Sequence, residues 1–191
     1  NAVARMIFVT PQGGFLCTGT LVNDKASSGT PHFLTANHCI NTQTVASTLQ
    51  TFWFYRSPSC NAKTLSSASK TLQNGATLLY STTSPDITLL RLNDSPPAGA
   101  VFSGWDAVSQ TRSATAIGIH HPRGDLLKLS TGVIDGGTNC VMDSAGGVTC
   151  TSDSATSMNG TYYRVKWSQG TTECGSSGSG LFVGGLLTGV L

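Results

Sequence analysis

At 191 residues the chain can bury a sizeable core, as one large domain or two small ones. Only 10% of its residues are charged, and its formal charge of +2 is spread over isolated Lys and Arg residues with no basic run, which argues against nucleic acid or an anionic membrane as partner. Its Ser- and Thr-rich composition and 22 glycines favour turns and β-structure over charge-laced surface helices.

The predicted elements are strands almost throughout. Residues 4–10 (ARMIFVT), 15–22 (FLCTGTLV) and 32–39 (HFLTANHC) read as β-runs, followed by 47–56 (STLQTFWFYR), 76–82 (ATLLYST) and 86–92 (DITLLRL). Turn-forming stretches such as NDKASSGTP and NDSPPAG separate them. The Pro96–Pro97 pair reads as the connection between two halves, residues 1–98 and 99–191. Short runs with turn signals resume at 113–122 (SATAIGIHHP), 126–134 (LLKLSTGVI), 162–167 (YYRVKW), 179–183 (SGLFV) and 186–191 (LLTGVL). No window of helical period and no internal repeat stands out. Many short strands at regular spacing imply an all-β sandwich or barrel, here two of them.

Six cysteines among so few charges suggest disulfides and an oxidising compartment, hence a secreted, extracellular protein. Reduced, buried cysteines are the alternative. No apolar run reaches the ~20 residues a membrane span needs, and a first residue of Asn1 predicts a processed or trimmed form. His120 and His121 are adjacent on an extended segment and so point to opposite faces, unsuited to one metal ion. No acidic Ca²⁺ loop or Zn spacing is present either, and no metal or cofactor is expected.

Three residues on separate segments fit acyl-transfer chemistry. His38 ends an apolar run, Asp86 opens a strand, and Ser177 sits in the Gly/Ser loop TECGSSGSG before GLFV. A serine hydroxyl is a poor nucleophile until a histidine takes its proton, and that imidazole needs a carboxylate to fix its tautomer. The flanking glycines would let the N–H groups of Gly175 and Ser177 converge on one oxyanion. Each residue alone has a plainer reading, as a structural histidine, a turn aspartate and a flexible linker. The enzyme reading requires His38 and Ser177 within about 3 Å, looser without substrate.

These contexts, CTGTLVN…FLTANHC, SPDITLLRL and GSSGSG, resemble the histidine, aspartate and nucleophile segments of trypsin-like serine proteases. The chain order His, Asp, Ser is that family's order. FSGWD, AIGIHHPRGDLLKLS and TECGSSGSG narrow the resemblance to the bacterial secreted lysyl-endopeptidase branch. The resemblance implies an all-β, chymotrypsin-like fold of two antiparallel Greek-key β-barrels, the first carrying His38 and Asp86 and the second Ser177. It implies a monomeric serine endopeptidase acting on protein or peptide substrates, with Ser177 as nucleophile, His38 as general base and acid and Asp86 as its orienting partner. Gly175 and Ser177 would form the oxyanion hole. The family's histidine-loop disulfide implies Cys17 with Cys39, while Cys140 with Cys150 fits a hairpin staple whose turn holds Gly146 and Gly147. Cys60 and Cys174 either pair or need partners elsewhere.

Departures from the family are visible too. Ser176 stands where many animal relatives carry an Asp that pairs with a freshly cut N-terminus, and Asn37 beside His38 is unusual. Relative to the family the second barrel reads as truncated at its C-terminal end, beyond which lies the acidic residue that confers lysine preference in the related branch. Thr171 and Thr172 are the residues expected at the pocket base. A catalytically inactive fragment or pseudoenzyme, serving as a binding module, is the alternative.

Overall fold

The computed structural model describes every residue except 61 and 143–147. Two antiparallel sheets account for nearly all the regular structure, and both curl. In the first, β1 (Val3–Thr10) and β2 (Gly13–Val22) form a hairpin, β3 (His32–Thr35) pairs with β2, and β4 (Gln50–Trp53) pairs with the other edge of β1. β5 (Lys70–Leu72) extends that edge, while β6 (Ala76–Thr82) and β7 (Ile87–Leu92) extend the other, giving the order β5-β4-β1-β2-β3-β7-β6. The second sheet comprises β8 (Thr115–His120), a long β9 (Lys128–Met142), β10 (Val148–Thr151), β11 (Tyr162–Gln169), β12 (Gly180–Val183) and β13 (Leu186–Val190). Its order is β10-β9-β8-β12-β13, with β11 also paired to β9.

Period-2 patterning builds the first core. Ala4, Met6 and Phe8 alternate inward along β1 and meet Leu21, Phe33, Trp53 and Leu90, each 0–2% exposed. Burying the Met, Leu and Phe side chains among these contributes about 1.5–3 kcal/mol each relative to leaving them in water. Gly19 has no freedom to be larger, since an added Cβ would strike the Phe33 ring.

β2 is buried on both faces from Cys17 to Val22. Cys17 and Leu21 face the first core, whereas Val22, with Val3 of β1, packs on Phe182 and Leu187 of the second sheet. The alternate face of β2, which includes Thr18 and Thr20, therefore lies against the other half of the molecule. Isolated bridges from Val22 to Ser103 and from Trp105 to Leu187 tie the intervening FSGWD segment to both sheets.

The strand assignments from sequence differ from the structure in identifiable places. The run 32–39 is a strand only to Thr35, after which the chain turns. Residues 43–46 form a four-residue helix, α1 (Gln43–Ala46), capped by the Thr42 hydroxyl, which accepts the Val45 N–H. One turn of helix is too short to show a helical period. β5 and β10 are short, exposed edge strands with no apolar alternation to mark them.

Candidate active site

His38 does not lie on a strand. It sits in the turn after β3, where the Cys39 and Ile40 amides both donate to the Ala36 carbonyl. A disulfide joins Cys39 to Cys17 of β2 and clamps this turn to the sheet. Asp86 stands just before β7 with φ +64°, a left-handed conformation that aspartate tolerates better than most residues. That conformation turns its carboxylate toward the His38 turn. One oxygen accepts the His38 backbone N–H at 2.9 Å and the other meets His38 Nδ1 at 2.7 Å. The Asp86 carbonyl in addition accepts the Asn37 N–H.

A carboxylate can only accept, so Nδ1 carries a proton, and in the neutral imidazole Nε2 therefore presents a lone pair. Asn37 leaves the imidazole alone. Its side-chain amide donates to Ser81 Oγ, which bonds Thr88 Oγ1, which donates to the Ile40 carbonyl. This chain braces both ends of the His38 turn from β6 and β7.

The loop of residues 173–179 is built from two tight turns, with Ser176 N–H donating to Glu173 O and Ser179 N–H to Ser176 O. Gly175 and Gly178 have φ +89° and +79°. At Gly178 a side chain is also excluded by space, since an added Cβ would collide with Thr35 Oγ1 and the Thr18 carbonyl. That Cβ would also lie 3.0 Å from the Ala36 amide nitrogen, two residues before His38. The residue after Ser177 thus packs directly on the start of the histidine turn. No hydrogen bond joins His38 Nε2 to the Ser177 hydroxyl, and both are unengaged among the described residues. Without substrate such contacts are often long and close only in the complex. The Gly175 and Ser177 amides likewise donate to no acceptor among the described residues.

Thr18 is the residue that sequence reasoning missed. Fully buried on β2, next to Cys17, it donates its backbone N–H to the Ser177 carbonyl and its hydroxyl to the Gly175 carbonyl, both at 2.8 Å. The same hydroxyl accepts the His121 N–H. One strand therefore holds the histidine turn through Cys17 and the serine loop through Thr18. The only sequence signal for it is its place beside Cys17, and an unpaired threonine on a strand reads as a surface residue.

His120 and His121 are both buried and meet different partners. His120 lies between Ser176 and Ser130, while His121 Nδ1 bonds the Asp125 carbonyl and packs edge-on against Tyr55. Burial lowers the pKa of His120, partly offset by the charge of Glu173, and pushes that of His121 down to about 4. Cys140 and Cys150 form a second disulfide between β9 and β10; Gly146 and Gly147 lie outside the described residues. Cys60 and Cys174 are unpaired and exposed. A cavity of about 530 Å³ opens beside the serine loop, where Thr172, Ser179, Gly180 and Leu181 contribute to its wall. Thr171 is not part of that wall, its carbonyl being taken by Ser130. The described lining carries no charged side chain.

Comparison with known proteins gives a consistent result. The family model for the lysyl endopeptidase C-terminal domain matches residues 1–191. A lysyl endopeptidase of Pseudomonas aeruginosa is 40% identical over 184 residues, which cover 94% of this chain and 37% of that protein. The chain thus spans little more than a third of that relative's length. Among solved structures, a thermostable serine protease, AL20, from an extremophilic microorganism superposes with a TM-score of 0.59 at 16% identity, over 99% of this chain and 83% of the other. An inactivated protease paralogue of the scabies mite gives a TM-score of 0.65 at 14% identity, over 99% and 81%. At these identities the two structures speak for the fold alone, which is that of the chymotrypsin-like proteases.

Proposed function

The chain belongs to the lysyl endopeptidase C-terminal domain family, and from that membership we propose that it is a serine endopeptidase working through an acyl-enzyme on Ser177. The observation that carries the proposal is the doubly bonded His38–Asp86 pair, set in a turn against which the Ser177 loop is packed.

In this reading His38 Nε2 removes the Ser177 proton as Oγ attacks the peptide carbonyl. The Gly175 and Ser177 amides, which have no other acceptor among the described residues, donate to the resulting oxyanion; each such donor is worth about 3 kcal/mol in the transition state. The imidazolium, stabilised by Asp86, then protonates the leaving amine. Water, deprotonated by His38 in turn, hydrolyses the ester and frees Ser177. Residues 1–98 supply the base and its partner, and residues 99–191 the nucleophile. The two disulfides and the kinship with a lysyl endopeptidase are consistent with an extracellular protein.

The relative's name makes lysine the first residue to try before the scissile bond. The cavity beside the serine loop offers apolar and hydroxyl contacts, so among the described residues selection there would rest on shape and hydrogen bonding. The unengaged Ser177 hydroxyl favours one competing reading, an inactive relative that keeps the fold as a binding module.

Labelling with a fluorophosphonate, read by intact mass, separates the two. The chain should gain one adduct that Ser177→Ala abolishes, and peptides should be cleaved at a defined residue. A folded chain that stays unlabelled would remove the endopeptidase reading.

A further inference from the structure

The buried polar groups beneath the serine loop form one directed chain. The Ser130 hydroxyl donates to the Thr171 carbonyl at 3.0 Å. Its single proton is then used, so in the 3.0 Å contact with His120 Nε2 the imidazole must be the donor. Neutral His120 consequently has its proton on Nε2 and a lone pair on Nδ1. Ser176 Oγ, 2.8 Å from Nδ1, donates to that lone pair and itself accepts the Glu173 N–H at 3.1 Å. His120 and Ser176 are 1% and 0% exposed, and every polar atom in this chain is satisfied. Burial favours the uncharged imidazole that this arrangement requires.

The chain meets the serine loop at two points, Thr171 before it and Ser176 inside it. Ser176 is the residue between the two amides, Gly175 and Ser177, whose convergence the chemistry requires. It also locks its turn reciprocally, since its N–H donates to Glu173 O while its Oγ accepts Glu173 N–H. Resting on the endopeptidase reading, we propose that His120 is a positioning residue for the reaction: through its Nδ1 bond to Ser176 it holds the 173–178 loop in the form that directs the Gly175 and Ser177 amides at the oxyanion.

Two polar replacements of His120 divide its two bonds. In His120→Asn the side-chain oxygen falls near Nδ1 and can still accept from Ser176, whereas in His120→Gln the amide nitrogen falls near Nε2 and serves Ser130 instead. Hydrogen exchange is read at the Ser176, Gly178 and Ser179 amides, which donate within or next to the loop, with Met6 of β1 as reference. Exchange at the loop amides should speed up roughly 10-fold or more in His120→Gln and Ser176→Ala and stay near wild type in His120→Asn, with Met6 unmoved in all three. Peptide hydrolysis should follow the same order, with a roughly 10- to 100-fold fall in kcat for His120→Gln and Ser176→Ala and little change in KM. Unchanged loop exchange in His120→Gln, or rescue by Gln and not by Asn, overturns the proposal. A wild-type chain that neither labels nor hydrolyses removes the endopeptidase reading instead, and loop exchange still decides what His120 holds.

Discussion

Replacing Thr18 by Val tests whether β2 anchors the serine loop, because Val keeps the shape and deletes only the hydroxyl. In the folded chain that hydroxyl has two buried partners, the Gly175 carbonyl at 2.8 Å and the His121 N–H at 3.1 Å. Neither has another protein partner among the described residues, and a buried group left unpaired costs about 1–3 kcal/mol. The substitution should therefore destabilise by roughly 2–5 kcal/mol, since the inserted methyl offsets little of a lost hydroxyl. For a chain of this size that corresponds to a fall in Tm of roughly 5–15 °C. Below the transition the labelling rate of Ser177 should also fall, by about 10-fold, because the freed carbonyl no longer fixes the Gly175–Ser176 peptide that lies between the two oxyanion donors. Thr18→Ser, which restores the hydroxyl, should recover most of both losses. A Val variant that melts with the wild type and labels within a factor of two would refute the anchoring role.

In Asp86→Asn, only one side-chain atom can accept, while both His38 N–H groups seek an acceptor. The imidazole then favours the tautomer protonated on Nε2, and kcat should fall by about 10⁴ with the fold intact; a loss below 10-fold would sink the assigned pair. Opening the Cys17–Cys39 bridge by a double Cys→Ala change releases a link spanning 22 residues and should cost about 3 kcal/mol in urea unfolding. Equal midpoints would show that the clamp is dispensable. His121 is held neutral, with its pKa lowered to about 4 by burial, against about 6.5 when unfolded. Below about pH 6.5 the unfolded chain binds a proton that the folded chain excludes, so this contribution to stability is whole at neutral pH and is lost as pH falls toward 4. Wild type should lose about 3 kcal/mol more than His121→Gln between pH 7 and 4, and parallel curves would contradict it. Arg5, His120 and Asp125 are the charged or titratable groups that act on His121.

The strands that build the first core were legible because their alternation survives in the chain, as in the inward Ala4, Met6 and Phe8. Those at the margins were not. Lys70–Leu72 turns only Leu72 partly toward the core, too little to write a pattern, and α1 is a single turn whose Thr42 cap is its only local signal. Of the candidate site, His38, Asp86 and Ser177 stood out through their immediate neighbours. The structure brings the first two into direct contact and packs the loop of the third against the same turn. What did not stand out was whatever depends on two distant segments at once. His120 reads only as one of two adjacent histidines on an extended segment until Ser176, 56 residues away, is laid against it.

The division has a physical cause. A pair such as His38 and Asp86 is set up by local geometry, a turn after one strand and a left-handed residue before the next, and each leaves a trace in its own neighbourhood. The serine loop has almost no internal support beyond two tight turns, so its shape must be imposed from outside. Thr18 supplies two hydrogen bonds from β2, and His120 supplies the bond from β8. All of these side chains are buried, where a polar group costs free energy unless it is paired. Burying Thr18, His120 and Ser176 is thus favourable only while the loop occupies this one conformation. A looser loop would strand several polar atoms at once, which makes the conformation of the Gly175–Ser177 segment cooperative with the docking of the two sheets.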